Sequence, residues 1–422
     1  MSNQIAENFA RGSRYSCGKL VSCGQLDLFD LDPQRDVGLC RIVECMTNAI
    51  SDLPRGLHFV GSLSPNLPPD PCLELKRVFE HSEGRALTAL PCDPDPRWAE
   101  GYLRDTTGTR PEVFETVHDG GYTGYQDMRS NKVRKRVELR PEHVSANRMP
   151  ELRRTLEAFR IIRSEHKELT DTRLQISVPN PLDPALFTFP RSPGNSLRCL
   201  DVSERAALDE AHELAQIADG DVVWQLENPS VLIGMNMVRM ARLLRTWLTG
   251  RLVGQVGNLL ARFPGPLLLL LHLCYGGFRH QEWFTPRSFG PAVKFLNGLR
   301  SHLRSESVTE LPPVHHPTAH GAHPPPTARQ FYEPPRNLHP EWRMIAGVVM
   351  PDDLEASLAT LDKMERNARR ETYAVAARGT GRIPESVAIQ ATKAMIKTAV
   401  ARHDHSSGST AADNQTAVAR SP

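Results

Sequence analysis

The chain has 422 residues, of which 40% are hydrophobic and 24% charged, with a formal net charge of +2. This is the composition of a globular protein, and its near balance of charge argues against nucleic acid or an anionic membrane as a partner. The length accommodates one large barrel or two ordinary domains.

The eight cysteines are irregularly spaced, and none forms a C-x-x-C pair. The opening Met1–Ser13 is polar and lacks the apolar core of a signal peptide. A cytoplasmic location with reduced thiols is therefore the expectation. The apolar run Leu267–Leu271 ends at His272, far short of the roughly 20 residues that span a bilayer. It reads as a buried strand. The charged stretch Lys132–Arg140 reads as a solvated face or an insert. Residues 1–50 are expected to form an N-terminal extension, 51–403 a single folded domain, and the Ser-, Ala- and Thr-rich 404–422 a disordered tail.

Along the middle of the chain, short apolar runs alternate with helix-like stretches. The runs are Leu57–Leu63, Leu87–Pro91, Leu174–Pro179, Val222–Glu227, Pro266–Cys274, Pro313–His316, Met344–Met350 and Tyr373–Ala377. Several are apolar on both faces, as parallel strands covered by helices must be. Helices are expected over Ser203–Ile217, Met237–Phe263, Pro351–Arg369 and Pro384–Arg402. Eight such units predict a single α/β (β/α)8 TIM barrel. The long interval 93–169 predicts an insertion after the second strand, and Pro312–Pro326 a loop over one mouth. No strand is followed by G-x-G-x-x-G, which argues against a dinucleotide-binding fold.

The sharpest chemical feature is His272-Leu273-Cys274, at the end of the fifth predicted strand. Positions i and i+2 of a strand face one side, so imidazole and thiol point to one spot at the mouth where barrel active sites lie. Both are zinc ligands, and zinc lowers the pKa of a thiol it binds. The alternative is a core histidine beside a buried cysteine. Gln175 and Ser177 alternate with apolar neighbours and point inward, as substrate contacts or as a polar layer. Glu227 ends the fourth strand, as a general base, an amine-binding group or an ion-pair partner of Arg378 or Arg279. Trp224 reads as core.

The run His272-Leu273-Cys274-Tyr275-Gly276-Gly277 resembles the His-x-Cys-x-Gly zinc motif of the cobalamin-independent methionine synthase superfamily. Other segments resemble that superfamily in the same order. They are Phe59-Val60-Gly61-Ser62, Leu174–Pro179, Gln225-Leu226-Glu227-Asn228-Pro229 and Arg378-Gly379-Thr380-Gly381-Arg382. The resemblance covers residues 55 to 400 and is closest to the family's single-barrel members. It implies a methyl or alkyl transferase acting on a thiol or amino-acid-like substrate, with zinc on His272 and Cys274 and a folate as possible methyl donor. It places Ser62, Gln175, Ser177, Asn228 and Tyr275 at the substrate.

The departures fall on the metal. The family's second zinc cysteine corresponds to Arg378, whose guanidinium cannot ligate zinc. One of two carboxylates on the fourth strand is replaced by Asn228. The acidic ligand expected two dozen residues beyond Cys274 falls at Leu296-Asn297. His315, His316, His320 and His323 of the Pro- and His-rich loop are candidate replacements. Arg378 alternatively lowers the Cys274 thiol pKa or clamps an anion. The acidic turn after the second strand is missing, with Asp93 and Asp95 as substitutes. Two further readings therefore stand beside transfer to a thiol. One is a metal-free barrel binding an anionic substrate for lyase or decarboxylase chemistry. The other is a non-catalytic paralogue. The sequence leaves the oligomeric state open.

Overall fold

The computed structural model describes residues 56–61, 70–93, 98–190, 192–237, 242–264, 269–278, 282–318, 325–377, 379–381 and 383–399. The expected N-terminal extension and tail lie outside them. Among the described residues there are nine strands: β1 Leu90–Pro91, β2 Phe114–His118, β3 Ser130–Val133, β4 Leu174–Pro179, β5 Val222–Asn228, β6 Leu269–Leu273, β7 Val314–Pro317, β8 Met344–Val349 and β9 Tyr373–Ala376.

Seven of these form one sheet in the order β1-β4-β5-β6-β7-β8-β9, with every neighbouring pair parallel. The residues facing the helices are apolar. Leu174, Ile176, Val178, Trp224, Leu226, Leu271, Leu273 and Val314 are buried in a core shared with Phe159, Leu214, Val256, Leu299 and Leu361 of the surrounding helices. Trp224 meets Phe263 edge-on, so it is core. Strands buried on both sides read as continuous apolar runs, which is why they were visible in the sequence.

The expectation of a closed eight-stranded barrel is corrected. Among the described residues the first predicted strand enters through one parallel bridge, Leu57 to Leu87. No ladder joins it to β9 among the described residues. The sheet is nevertheless curled. Gln175 of β4 donates to the Phe59 carbonyl at 3.0 Å. The rings of His58, beside the β1 edge, and His315, on β7, come to 6.2 Å.

Helix boundaries also shift. The helix expected over Ser203–Ile217 runs Pro193–Ala218, because Pro193 sits in the first turn, where its missing N–H costs nothing. Of the expected Met237–Phe263 helix, the described residues show Arg242–Arg262 as helix, with a further helix Pro229–Met237 before it. Leu354–Ala368 starts at Asp353, whose side chain caps Ala356 N at 2.8 Å. The last helix covers 385–399 of the described residues. The long interval after β1 holds the antiparallel pair β2–β3 before the helix Met149–Glu165. Within it, Lys132 pairs with Glu115 at 2.8 Å. No helix among the described residues is long and apolar enough to cross a membrane.

Candidate metal centre

Three adjacent strands carry the site. Parallel register sets Glu227 of β5 beside His272 of β6, and His272 beside His315 of β7. Because side chains alternate along a strand, Gln225, Glu227, His272, Cys274 and His315 share the concave face. One donor atom from each of Glu227, His272 and Cys274 lies within 4.8 Å of the other two. Glu227 Oε2 is 3.5 Å from His272 Nε2. His272 is buried, while Glu227 and Cys274 are half-buried and so retain access from the mouth.

Amide groups fix Glu227. Its Oε1 accepts from Gln225 Nε2 at 2.6 Å, and that same nitrogen donates to Ser177 Oγ at 3.3 Å. Gln225 Oε1 in turn accepts from Gln175 Nε2 at 3.1 Å. The two amide hydrogens of each glutamine are thereby committed: those of Gln175 to Phe59 and Gln225, those of Gln225 to Glu227 and Ser177. Gln175 is thus part of a polar layer that orients Glu227.

Asp93 follows β1 by two residues and reaches the same interior. Its Oδ1 accepts from the Ser177 backbone N–H at 3.3 Å. Gly61, at φ +59, lies so close that a Cβ there would stand 2.9 Å from Asp93 Oδ2. Burial, with the Glu227 charge adding to it, pushes the Asp93 carboxyl up to about 6, against the pull of Ser177 and Arg148. Arg148 is held by Glu210 and donates to the Ser177 carbonyl at 3.0 Å.

Two further histidines line the interior. His315 and His316 are both fully buried and belong to β7 rather than to a loop. His315 faces inward, its ring 4.7 Å from that of His272, with the two Nδ1 atoms at 2.7 Å. Its Nε2 lies 3.2 Å from the Ala376 carbonyl oxygen. His316 faces the helices, against Phe289 and Tyr275. His58 is 1% exposed, with Nδ1 bonded to Thr88 Oγ1 at 2.9 Å and Nε2 without a hydrogen-bond partner. Burial, joined by repulsion from His272, holds its pKa down to about 3. It is therefore neutral at ordinary pH.

The donor set suits zinc in chemistry, being imidazole, thiol and carboxylate. It also suits zinc in size. Three atoms no more than 4.8 Å apart leave a point roughly 2.8 Å or less from each, a small side-chain adjustment from the about 2.0–2.3 Å of zinc bonds.

The remaining sequence candidates are dispersed. Asn228 points away from Glu227, donating to the Leu226 carbonyl at 2.6 Å and accepting from Asn180 at 2.9 Å. Tyr275 is buried on the helix-facing side, 3.2 Å from His316 Nε2 and edge-on to Phe284. Leu296 and Asn297 lie on the outer helix Gly290–Ser305, where Asn297 donates to the Asn337 carbonyl. Ser62, Asp95, Arg279, His320, His323 and Arg378 fall outside the described residues. Sequence reasoning offered His315 as a replacement ligand from a loop rather than as a strand neighbour of His272, and missed His58 altogether. The alternation of Val314-His315-His316 was the available signal for the former.

A curled parallel α/β sheet with metal-class donors at the C-terminal ends of its strands describes this molecule. No protein-family model matches the chain, and no curated protein matches it. Among solved structures it is similar to a B12-independent methionine synthase from Shewanella sp. W3-18-1 in complex with selenomethionine. That match has 12% identity and a TM-score of 0.48, over 83% of this chain and 98% of that one. It is also similar to a Listeria monocytogenes structure described as a vitamin-B12-independent methionine synthase. Here the identity is 12% and the TM-score 0.47, over 81% and 95% of the two chains.

Proposed function

We propose that Glu227, His272 and Cys274 hold one zinc ion, and that the site serves transfer of a methyl or alkyl group to a thiol. The observation that carries this reading is the convergence of three different zinc-type donors within 4.8 Å at the ends of two neighbouring strands. The sequence resemblance around His272 and Cys274 supports the same assignment. Three protein donors leave a further coordination position, as in catalytic rather than structural zinc sites. Zinc bound there would lower the pKa of a substrate thiol and hold it as the thiolate.

The surrounding residues divide the rest of the work. Gln225 orients the Glu227 carboxylate so that one oxygen stays toward His272. With Glu227 committed to the metal, Asp93 is the carboxylate left to receive a thiol proton or a substrate ammonium group. Its carboxyl sits near pH 6, within reach of both protonation states at neutral pH. Transfer then forms a bond between the thiolate sulfur and the alkyl carbon as the donor's bond to that carbon breaks. A folate is the donor class implied by the sequence resemblance.

Elemental mass spectrometry of the purified chain, beside Cys274→Ser and Glu227→Gln, tests the reading. About one zinc per chain in the wild type, lost in Cys274→Ser and weakened in Glu227→Gln, is the expected result. No bound zinc in the wild type even after soaking would overturn it.

A further inference from the structure

We infer that His315 is a positioning residue that presents the Nε2 lone pair of His272 to the ion, through a relay anchored on the Ala376 carbonyl. The inference rests on the reading of Glu227, His272 and Cys274 as a metal centre.

The relay follows from what each partner is able to do. A backbone carbonyl only accepts. The contact between His315 Nε2 and Ala376 O at 3.2 Å therefore places a hydrogen on that nitrogen. A neutral imidazole carries one ring hydrogen, so His315 Nδ1 is an acceptor. Across 2.7 Å its partner is His272 Nδ1, which must be the donor. With its hydrogen on Nδ1, neutral His272 carries its lone pair on Nε2. That is the nitrogen 3.5 Å from Glu227 Oε2.

The consequence is that three zinc-type donors converge on one place. A lone pair and a carboxylate oxygen face each other, with the Cys274 sulfur as third donor. A metal ion satisfies all of them. Metal-bound histidines commonly donate their second N–H to a partner that fixes ring and tautomer. Here the partner is a second histidine on the next strand.

The neutrality of His315 is consistent with its surroundings. It is fully buried, its ring beside that of His272 and its Nε2 on the Ala376 carbonyl, and burial disfavours the charged ring. Facing it from other elements among the described residues are the imidazoles of His272 and His58 and the Ala376 carbonyl.

The test reads tautomers directly, in the metal-free full-length chain labelled with 15N-histidine. Long-range proton–nitrogen spectra distinguish Nδ1–H from Nε2–H rings, with His272→Ala and His315→Ala identifying the signals. His272 is expected as Nδ1–H and His315 as Nε2–H. In His315→Phe, which fills the space without an acceptor, His272 loses its Nδ1–H preference and zinc affinity in chelator competition falls about 10–100-fold. His315→Gln, which restores an acceptor, recovers most of both. An Nε2–H tautomer of His272 in the wild type, or a His315→Phe variant unchanged in tautomer and affinity, would overturn the inference. The wild-type spectrum decides even if a variant misfolds. The outcome is also separable from the metal reading: an intact relay in a chain that binds no zinc would refute the metal assignment alone.

Discussion

At Asp93 two effects act in opposite directions. The Ser177 N–H and nearby Arg148 favour its charge, while burial and the Glu227 carboxylate disfavour it, and the balance lifts the carboxyl from 3.8 to about 6. Between those values the folded chain holds a proton that the unfolded chain has released. Stability must therefore fall as pH rises from 4 to 6 and remain lower above it. Asp93→Asn keeps an oxygen for the Ser177 N–H and removes the charge. Relative to wild type it should gain on the order of 2 kcal/mol between pH 4 and pH 7. Urea unfolding at those two pH values measures this, and a difference independent of pH would refute the assignment. The sequence made some site residues legible and others not, for physical reasons. His272 and Cys274 were legible because two residues apart on a strand means one face. Glu227 was legible because it ends an apolar run. His315 was obscured by the Pro- and His-rich composition around it, which imitates a loop. The partner of each glutamine was beyond reach, because Gln175 and Gln225 meet only when β4 and β5 pair in register.

Among the elements, the β2–β3 insertion reaches the segment that follows Cys274. The short turn Tyr125–Asp127 between its strands packs onto the segment following Cys274. There the Tyr125 hydroxyl accepts from Phe278 N–H at 2.9 Å, and its ring lies 4.5 Å from that of Trp283. Gly276 makes the approach possible. It has φ +85, and a Cβ there would collide with the Tyr125 hydroxyl. Gly276→Ala is thus penalised by both backbone strain and displacement of the arm, together about 1–3 kcal/mol. Hydrogen exchange should rise across residues 114–133 while the β4–β5 ladder stays protected. Equal exchange in variant and wild type would show that the arm is held elsewhere. The sequence revealed an insertion by its length. It did not reveal the docking, since one tyrosine in a polar stretch carries no periodic signal.

The curvature of the whole sheet connects its edge to the site. β9 pairs with β8 through an irregularity between Gly347 and Val349, and such bulges bend a strand and increase its twist. The bend brings the Ala376 carbonyl under His315, which itself sits beside His272. Gly347 is the point where these elements converge. A Cβ added there would lie 2.8 Å from Pro317 Cα on β7, 2.9 Å from Ala377 Cα beyond β9, and 2.9 Å from His315 Nε2. Two of those atoms are backbone, so relief requires the strands to separate. Gly347→Ala should therefore cost about 1–3 kcal/mol of stability. It should also weaken zinc binding, because it pushes His315 from its anchor. Gly254 supplies the contrast. It lies within the helix Arg242–Arg262, where an added Cβ meets nothing within 4 Å. Gly254→Ala should raise stability by about 0.5–1 kcal/mol through helix propensity and leave zinc affinity unchanged. Chemical unfolding and chelator competition on both variants give the comparison. If Gly347→Ala loses stability but keeps full zinc affinity, the curve of the sheet and the metal centre are independent. If both fall together while Gly254→Ala shifts only stability, the bend at β8–β9 is what sets His315, and through it His272, at the mouth.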